Sequence, residues 1–181
     1  MNDPGSGASL FLLHQLYTSE EHQLGWDKYA YDNEYIHHVL LKLFSEHSTA
    51  FAQKLLGVPT IRSLKTAIEP ERGLFDLLFV IDGESLYCEV KVWADLTKTQ
   101  FDRQNGFLSE SAAKGLYVLF TKAADEWPQD RVSSESRGCS RVIGLLDVVS
   151  ALRTLEETSE GAVRELAVAY RTSLEHLNSR Y

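Results

Sequence analysis

A tight-turn signal between two strand-like segments is the feature that most constrains how this chain can fold. Asp82 and Gly83 separate the segment LFDLLFVI from the segment SLYCEVKVW. An Asp-Gly pair between runs of aromatic and branched apolar residues is typical of a two-residue β-hairpin turn. We therefore predict that the two segments form neighbouring antiparallel strands.

The position of the turn decides which charged residues lie opposite each other. If Asp82 and Gly83 are its central residues, counting outward along both strands pairs Asp76 with Glu89. A turn centred one residue later would instead pair Asp76 with Lys91. Because strand side chains alternate between the two faces of a sheet, either register places all three charged residues on one face.

Two acids at opposed positions need a positive partner. Their Cβ atoms would be about 5 Å apart, and two carboxylates at that distance repel by roughly 3 kcal/mol at an effective dielectric near 20. Lys91 supplies one positive charge, and a divalent metal would supply more. Oxygen ligands without cysteine or histidine at ligand spacing favour Mg²⁺ or Mn²⁺ over zinc. The alternative is a solvated salt bridge on an exposed strand face.

Hydrophobic periodicity and Gly/Pro punctuation predict an α/β protein. Gly57 and Pro59 end the longest predicted helix. Predicted helices cover residues 8–18, 33–56 and 97–112 and most of 147–177, and predicted strands cover 60–68, 74–81, 85–93, 115–121 and 141–146. The order of elements indicates a sandwich of helices around a mixed sheet.

Length and composition favour one soluble domain. The chain has 181 residues, of which 44% are hydrophobic, enough for a single core. We expect residues 1–7 to be disordered, the core to span about 33–146, and helices to follow over 147–179. There is no apolar run of the roughly 20 residues that span a bilayer, so we expect a cytoplasmic protein without membrane association.

The net charge of −8 argues against a broadly basic nucleic-acid-binding surface. Its distribution is uneven. Residues 1–50 carry seven acids and two bases, whereas residues 51–145 carry thirteen acids and twelve bases. A local basic strip is therefore compatible with the middle of the chain.

The charged pattern also matches a known family. The residues FD at 75–76, EVK at 89–91 and Gln100 on the next predicted helix resemble the PD-(D/E)XK nuclease superfamily. The resemblance covers about residues 33–122, with the strand at 141–146 completing the sheet, and it implies a restriction-endonuclease-like fold with an α-β-β-β-α-β core and extra C-terminal helices. Phe75 replaces the proline of the family name, and Gln104 stands where some relatives have tyrosine.

The resemblance implies roles for the residues at the predicted strand ends. Asp76 and Glu89 would bind Mg²⁺ or Mn²⁺ together with the backbone carbonyl of Val90. Lys91 would orient or help to deprotonate the attacking water and would stabilise negative charge on the phosphate. These are the components of metal-assisted phosphodiester hydrolysis.

Two further positions have a structural as well as a catalytic interpretation. Glu34 resembles the upstream glutamate that supports the metal in many members, but it also suits the first turn of a helix. Gln100 resembles a helix residue that steadies the site, but it also completes a capping box with Thr97. His37 and His38 follow Glu34 closely, and one of them is a candidate to approach the site.

Arginines are the candidates for phosphate contacts. Arg131, Arg137 and Arg141 border the segment VSSESRGCS, which suits either a phosphate-gripping loop or an ordinary mobile surface loop. Arg103 on the predicted helix 97–112 is a fourth candidate.

The sequence thus leads to two hypotheses about function. The first is a Mg²⁺- or Mn²⁺-dependent nuclease, acting on DNA in restriction, repair or phage defence. The second is a catalytically inactive subunit of the same fold that binds nucleic acid or a protein partner. A homodimer is compatible with both hypotheses.

Overall fold

The structure is a computed structural model that describes residues 26–68, 70–91, 96–111, 113–119 and 139–180. Within these ranges, the side chains of residues 26–35, 72, 116–119, 139–140 and 176–180 are not described. The predicted helix 8–18 and the candidate residues Arg131 and Arg137 therefore lie outside the described part of the chain.

The described chain is α/β, as predicted. Its five helices are α1 (Trp26–His47), α2 (Thr49–Leu56), α3 (Lys98–Ser111), α4 (Leu145–Thr158) and α5 (Gly161–Arg180). Its five strands are β1 (Leu64–Ile68), β2 (Leu77–Ile81), β3 (Glu84–Lys91), β4 (Lys114–Leu119) and β5 (Cys139–Gly144). A single helical turn, Pro70–Gly73, precedes β2. No helix within the described ranges is long and apolar enough to cross a membrane.

The five strands form one mixed sheet in the order β1-β2-β3-β4-β5. The first three strands are antiparallel to one another, and β3, β4 and β5 are parallel. The helix α3 connects β3 to β4 across one face of the sheet, as a parallel connection requires. Strand β3 is thus central, with partners on both sides.

The hairpin between β2 and β3 has the first of the two predicted registers. Ile81 pairs with Glu84, and the ladder continues to the pair Leu77 and Cys88. Asp82 and Gly83 have φ angles of 52° and 93°, as the two central residues of a type I′ turn require. The carboxylate of Asp82 also accepts hydrogen bonds from the backbone amides of residues 62 and 63, which ties the turn to the chain entering β1.

Helices cover both faces of the sheet. The larger core lies on the face reached by Cys88 and Val90, and it contains buried residues of α1, α2, α4 and α5. A smaller core of Phe75, Tyr87 and Leu108 lies on the opposite face, under α3. Glu89 and Lys91, which alternate with Cys88 and Val90 along β3, are therefore on the side that α3 covers.

The predicted single helix over 33–56 is wrong in two respects, its start and its continuity. The structure begins α1 at Trp26 and interrupts the helical run at Ser48, whose backbone is extended and whose side chain accepts the amide of Phe51. Serine is favoured at N-cap positions because its side-chain oxygen accepts a hydrogen bond from a helix amide that would otherwise be unpaired. Gly57 ends α2 in the left-handed conformation, with φ of 66°, as its position before Pro59 predicted.

A buried polar contact joins the first and last described helices. Nδ1 of His37 in α1 lies 2.6 Å from the hydroxyl of Tyr170 in α5, and both side chains are fully buried. Burial, with the adjacent His38, lowers the pKa of His37 to about 3. The imidazole is therefore neutral at neutral pH, and the hydrogen bond stabilises the packing of α1 against α5.

We expect Tyr170→Phe to lower the free energy of unfolding by about 1–3 kcal/mol, because it removes a buried hydrogen-bond partner of His37 without changing shape. Urea denaturation at pH 7 measures this loss. The matched control is Tyr87→Phe, whose hydroxyl makes a longer bond of 3.3 Å to the exposed Glu71. A loss as large for Tyr87→Phe would contradict the special role of the His37 contact.

Candidate functional site

The face of β3 that carries Glu89 and Lys91 is buried. Glu89 is 1% exposed and Lys91 is 7% exposed. A solvated salt bridge on an open strand face is therefore wrong for this pair, because α3 lies over it. Burying two charged groups is costly unless each is paired and hydrogen-bonded.

Both carboxylate oxygens of Glu89 have partners. Oε1 lies 2.6 Å from Nζ of Lys91 and accepts the side-chain amide of Gln100 at 2.5 Å. Oε2 accepts the side-chain amide of Gln104 at 2.6 Å. One cation and two amide donors from α3 thus compensate the buried carboxylate.

Asp76 lies at the end of the same hairpin, immediately before β2. Its backbone amide donates to the carbonyl of Cys88 at 3.0 Å. Its carboxylate Oδ2 accepts the backbone amide of Val90 at 2.7 Å and lies 3.6 Å from Nε2 of His38. The Asp76 carboxylate is thus hydrogen-bonded to the backbone of Val90, the residue between Glu89 and Lys91, and it lies beside α1.

The electrostatics indicate that the two acids are close. Burial, followed by the charge of Asp76, raises the pKa of Glu89 to about 7, although Lys91 and the hydrogen bond from Gln104 oppose the shift. Burial and both carboxylates also raise the pKa of the Cys88 thiol. Burial is the main cause of both shifts, and the charge of Asp76 adds to each of them.

Gln100 makes one half of the predicted capping box, and its side chain contacts Glu89. Its backbone amide donates a hydrogen bond to the hydroxyl oxygen of Thr97, at 3.2 Å. Its side chain, however, points to Glu89 rather than back to the cap. The backbone of Gln100 therefore belongs to the cap of α3, and its side chain belongs to the site.

Two contacting residues were not assigned to the site from the sequence. Gln104 appeared there only as a departure from the family pattern, and His38 only as one of two histidines that might approach. The spacing of Gln100 and Gln104 was an available signal, because residues four apart lie on the same face of a helix. A second glutamine one turn after the first therefore faces the same target.

The remaining candidates are distributed differently. Glu34 lies in α1, one turn before His38, but its side chain is not described. Arg103 is exposed on α3, next to Gln104. Arg141 lies apart from the site, on the opposite face of the sheet, where its guanidinium occupies the space in which a side chain at position 57 would start.

Arg141 has a structural environment of its own. Its Nη2 lies 3.9 Å from the carboxylate of Asp147 in α4, and its guanidinium rests on Gly57 at the end of α2. A cation at the C-terminus of a helix interacts favourably with the helix dipole. These contacts give Arg141 a structural role, and phosphate binding by Arg141 stays a prediction.

The described side chains contain no group of three histidine, cysteine or acidic residues that could hold a metal ion. The site supplies two carboxylates, Asp76 and Glu89, and the proposed third acid, Glu34, is outside the described side chains. The donors are oxygens, and the mutual repulsion of the two acids is the condition that a hard cation relieves. Asp76 and Glu89 supply carboxylate oxygens, the donor type that Mg²⁺ and Mn²⁺ prefer.

Comparison with protein-family models, with curated proteins and with solved structures finds no match to this chain.

Proposed function

We propose that this protein is a Mg²⁺- or Mn²⁺-dependent nuclease that hydrolyses phosphodiester bonds of DNA, with a restriction-endonuclease-like core of the PD-(D/E)XK pattern. The observation that carries the proposal is the convergence at the end of β3. Glu89 and Lys91 are in contact at 2.6 Å, and Asp76 is hydrogen-bonded to the backbone of the residue between them. The mixed sheet with helices on both faces is compatible with this core.

Asp76 and Glu89 would hold the metal, together with the carbonyl of Val90 and, from α1, Glu34. A bound Mg²⁺ or Mn²⁺ supplies a Lewis acid for the phosphate oxygens and lowers the pKa of a coordinated water. Support for this assignment comes from the proximity of the two acids: the charge of Asp76 contributes to the raised pKa of Glu89, and a bound cation would stabilise the ionised form of both carboxylates.

Lys91 would act on the reacting groups. Its ammonium is almost fully buried, so its positive charge is screened less than it would be in water. From this position it would orient the attacking water and stabilise the charge that develops on the phosphate. The water oxygen would bond to phosphorus while one ester P–O bond breaks, giving a phosphate monoester and a free hydroxyl.

The exposed helix beside the site offers the first contact for a substrate. Arg103 is exposed on α3, one position from the buried Gln104, where it would bind a backbone phosphate. We place the protein in restriction, repair or phage defence and in the cytoplasm. A homodimer that cuts both strands is compatible with this function.

Incubation of the purified protein with linear and circular DNA tests the proposal. We expect cleavage with Mn²⁺ or Mg²⁺ and none with EDTA, because the reaction needs the metal to activate water. Single-stranded DNA and RNA serve as parallel substrates. Absence of cleavage in every one of these mixtures would contradict the proposed activity.

The second candidate is a catalytically inactive subunit of the same fold that binds nucleic acid or a protein partner. The observation that favours it is the full set of internal partners around Glu89, where Lys91, Gln100 and Gln104 already contact both oxygens. Calorimetric titration with Mn²⁺ separates the two candidates. An active site should bind the ion with measurable heat, whereas an inactive relic should bind it weakly or not at all.

A further inference from the structure

The amide of Gln104 connects the two parts of the site. Gln104 is completely buried in α3. Its Nε2 donates to Oε2 of Glu89 at 2.6 Å and to the backbone carbonyl of Leu74 at 3.0 Å. Leu74 is two residues before Asp76, so a single side chain bridges Glu89 to the segment that carries the other acid.

The orientation of this amide is set by its neighbours. Both neighbouring atoms are acceptors, so the NH₂ group must face them and both of its hydrogens are used. The other end of the amide, Oε1, is then buried without a hydrogen-bond donor among the described residues. A buried acceptor without a partner costs stability, so the two acceptors that the NH₂ group reaches, rather than apolar packing, account for a glutamine here.

From these contacts we infer that Gln104 is a positioning residue that fixes Glu89 relative to Asp76, and thereby sets the metal affinity of the site. The inference rests on the proposed function. Gln104 holds Oε2 of Glu89 and leaves the opposite oxygen, Oε1, on the side of Lys91 and Gln100. Partners that orient a metal ligand in this way commonly affect metal affinity by 10- to 100-fold.

The test is Mn²⁺ calorimetry on Gln104→Met, which keeps the length of the side chain and removes both donors. We expect the dissociation constant for Mn²⁺ to rise by about 10- to 100-fold. The matched control is Leu108→Ala, which creates a cavity in the same helix without touching Glu89. It should lower the melting temperature but leave the Mn²⁺ dissociation constant within about twofold of wild type, since Leu108 packs on Phe75 and Tyr87.

A second variant keeps the test decisive if Gln104→Met does not fold. Gln104→Asn retains the amide but is one methylene shorter, so it cannot reach both acceptors, and we expect a comparable loss of affinity. Unchanged Mn²⁺ affinity in the folded variants would overturn the inference, as would an equal loss in Leu108→Ala. If the wild-type protein itself binds no Mn²⁺, both the proposed function and this inference fail. If the wild type binds Mn²⁺ but the Gln104 variants bind it equally well, only this inference fails.

Discussion

Replacing Asp76 by asparagine should reduce metal-dependent DNA cleavage by at least about a hundredfold, the scale on which loss of one charge-stabilising group acts. The substitution preserves the local fold, because the amide oxygen of asparagine can still accept the backbone N–H of Val90. It removes only the negative charge. Initial cleavage rates of a linear duplex at saturating Mn²⁺ measure the effect.

Asp102→Asn is the matched control for this prediction. Asp102 makes an i, i+4 ion pair with Lys98 on the exposed surface of α3, where such pairs contribute little to stability. This variant should cleave DNA at the wild-type rate. Cleavage at the wild-type rate by Asp76→Asn would exclude Asp76 as a ligand of the proposed metal. Thermal denaturation of both variants verifies that each is folded.

Acid should destabilise the protein strongly through His37. The folded pKa of His37 is about 3, whereas its ordinary value is 6.5. Between these values the unfolded chain binds a proton that the folded chain does not, so stability falls as the pH falls from 6.5 to 3. The full effect is on the order of 5 kcal/mol, comparable to the total stability of many domains.

Glu89 acts in the opposite direction. Its folded pKa is about 7 and its ordinary value is 4.5, so between these values the folded chain binds the extra proton and stability falls as the pH rises. The effect is on the order of 3 kcal/mol. From pH 4.5 to 6.5 the contributions of His37 and Glu89 cancel, and the acid loss should emerge below pH 4.5.

Urea denaturation of the metal-free protein across pH 3.5–8 measures both contributions. In Glu89→Gln the opposing contribution is absent, so the loss of stability should begin near pH 6.5 instead of near pH 4.5. In His37→Asn the stability should fall between pH 4.5 and pH 7 as the pH rises. Profiles parallel to wild type in both variants would contradict the assignment of these two groups.

The part of the site that depends on local chemistry was predictable from the sequence. The Asp-Gly turn determines the pairing of β2 and β3, because the side-chain period of two leaves no freedom once the turn is set. The pairs from Ile81 and Glu84 to Leu77 and Cys88 therefore followed from counting. Capping of α3 by Thr97 was predictable for the same reason, since it depends on residues three apart.

The part that depends on packing between distant elements was not predictable. Strand alternation shows that Glu89 and Lys91 share a face, but it does not show that α3 buries that face. The contact of His37 with Tyr170 joins residues 133 positions apart, and no local pattern specifies such a partner. The break at Ser48 had a local signal, because serine is common at N-cap positions. The apolar periodicity continues through this position, however, and it indicated one uninterrupted helix.

The turn at Asp82 and Gly83 lies at the far end of the hairpin from Lys91, about seven residues or roughly 23 Å along β3. Because pairing is counted from this turn, one extra residue inserted there would rotate the acids of one strand to the reverse side of the sheet. Tolerance to insertions should therefore be lowest at a surface loop remote from the chemistry, where length variation is ordinarily harmless.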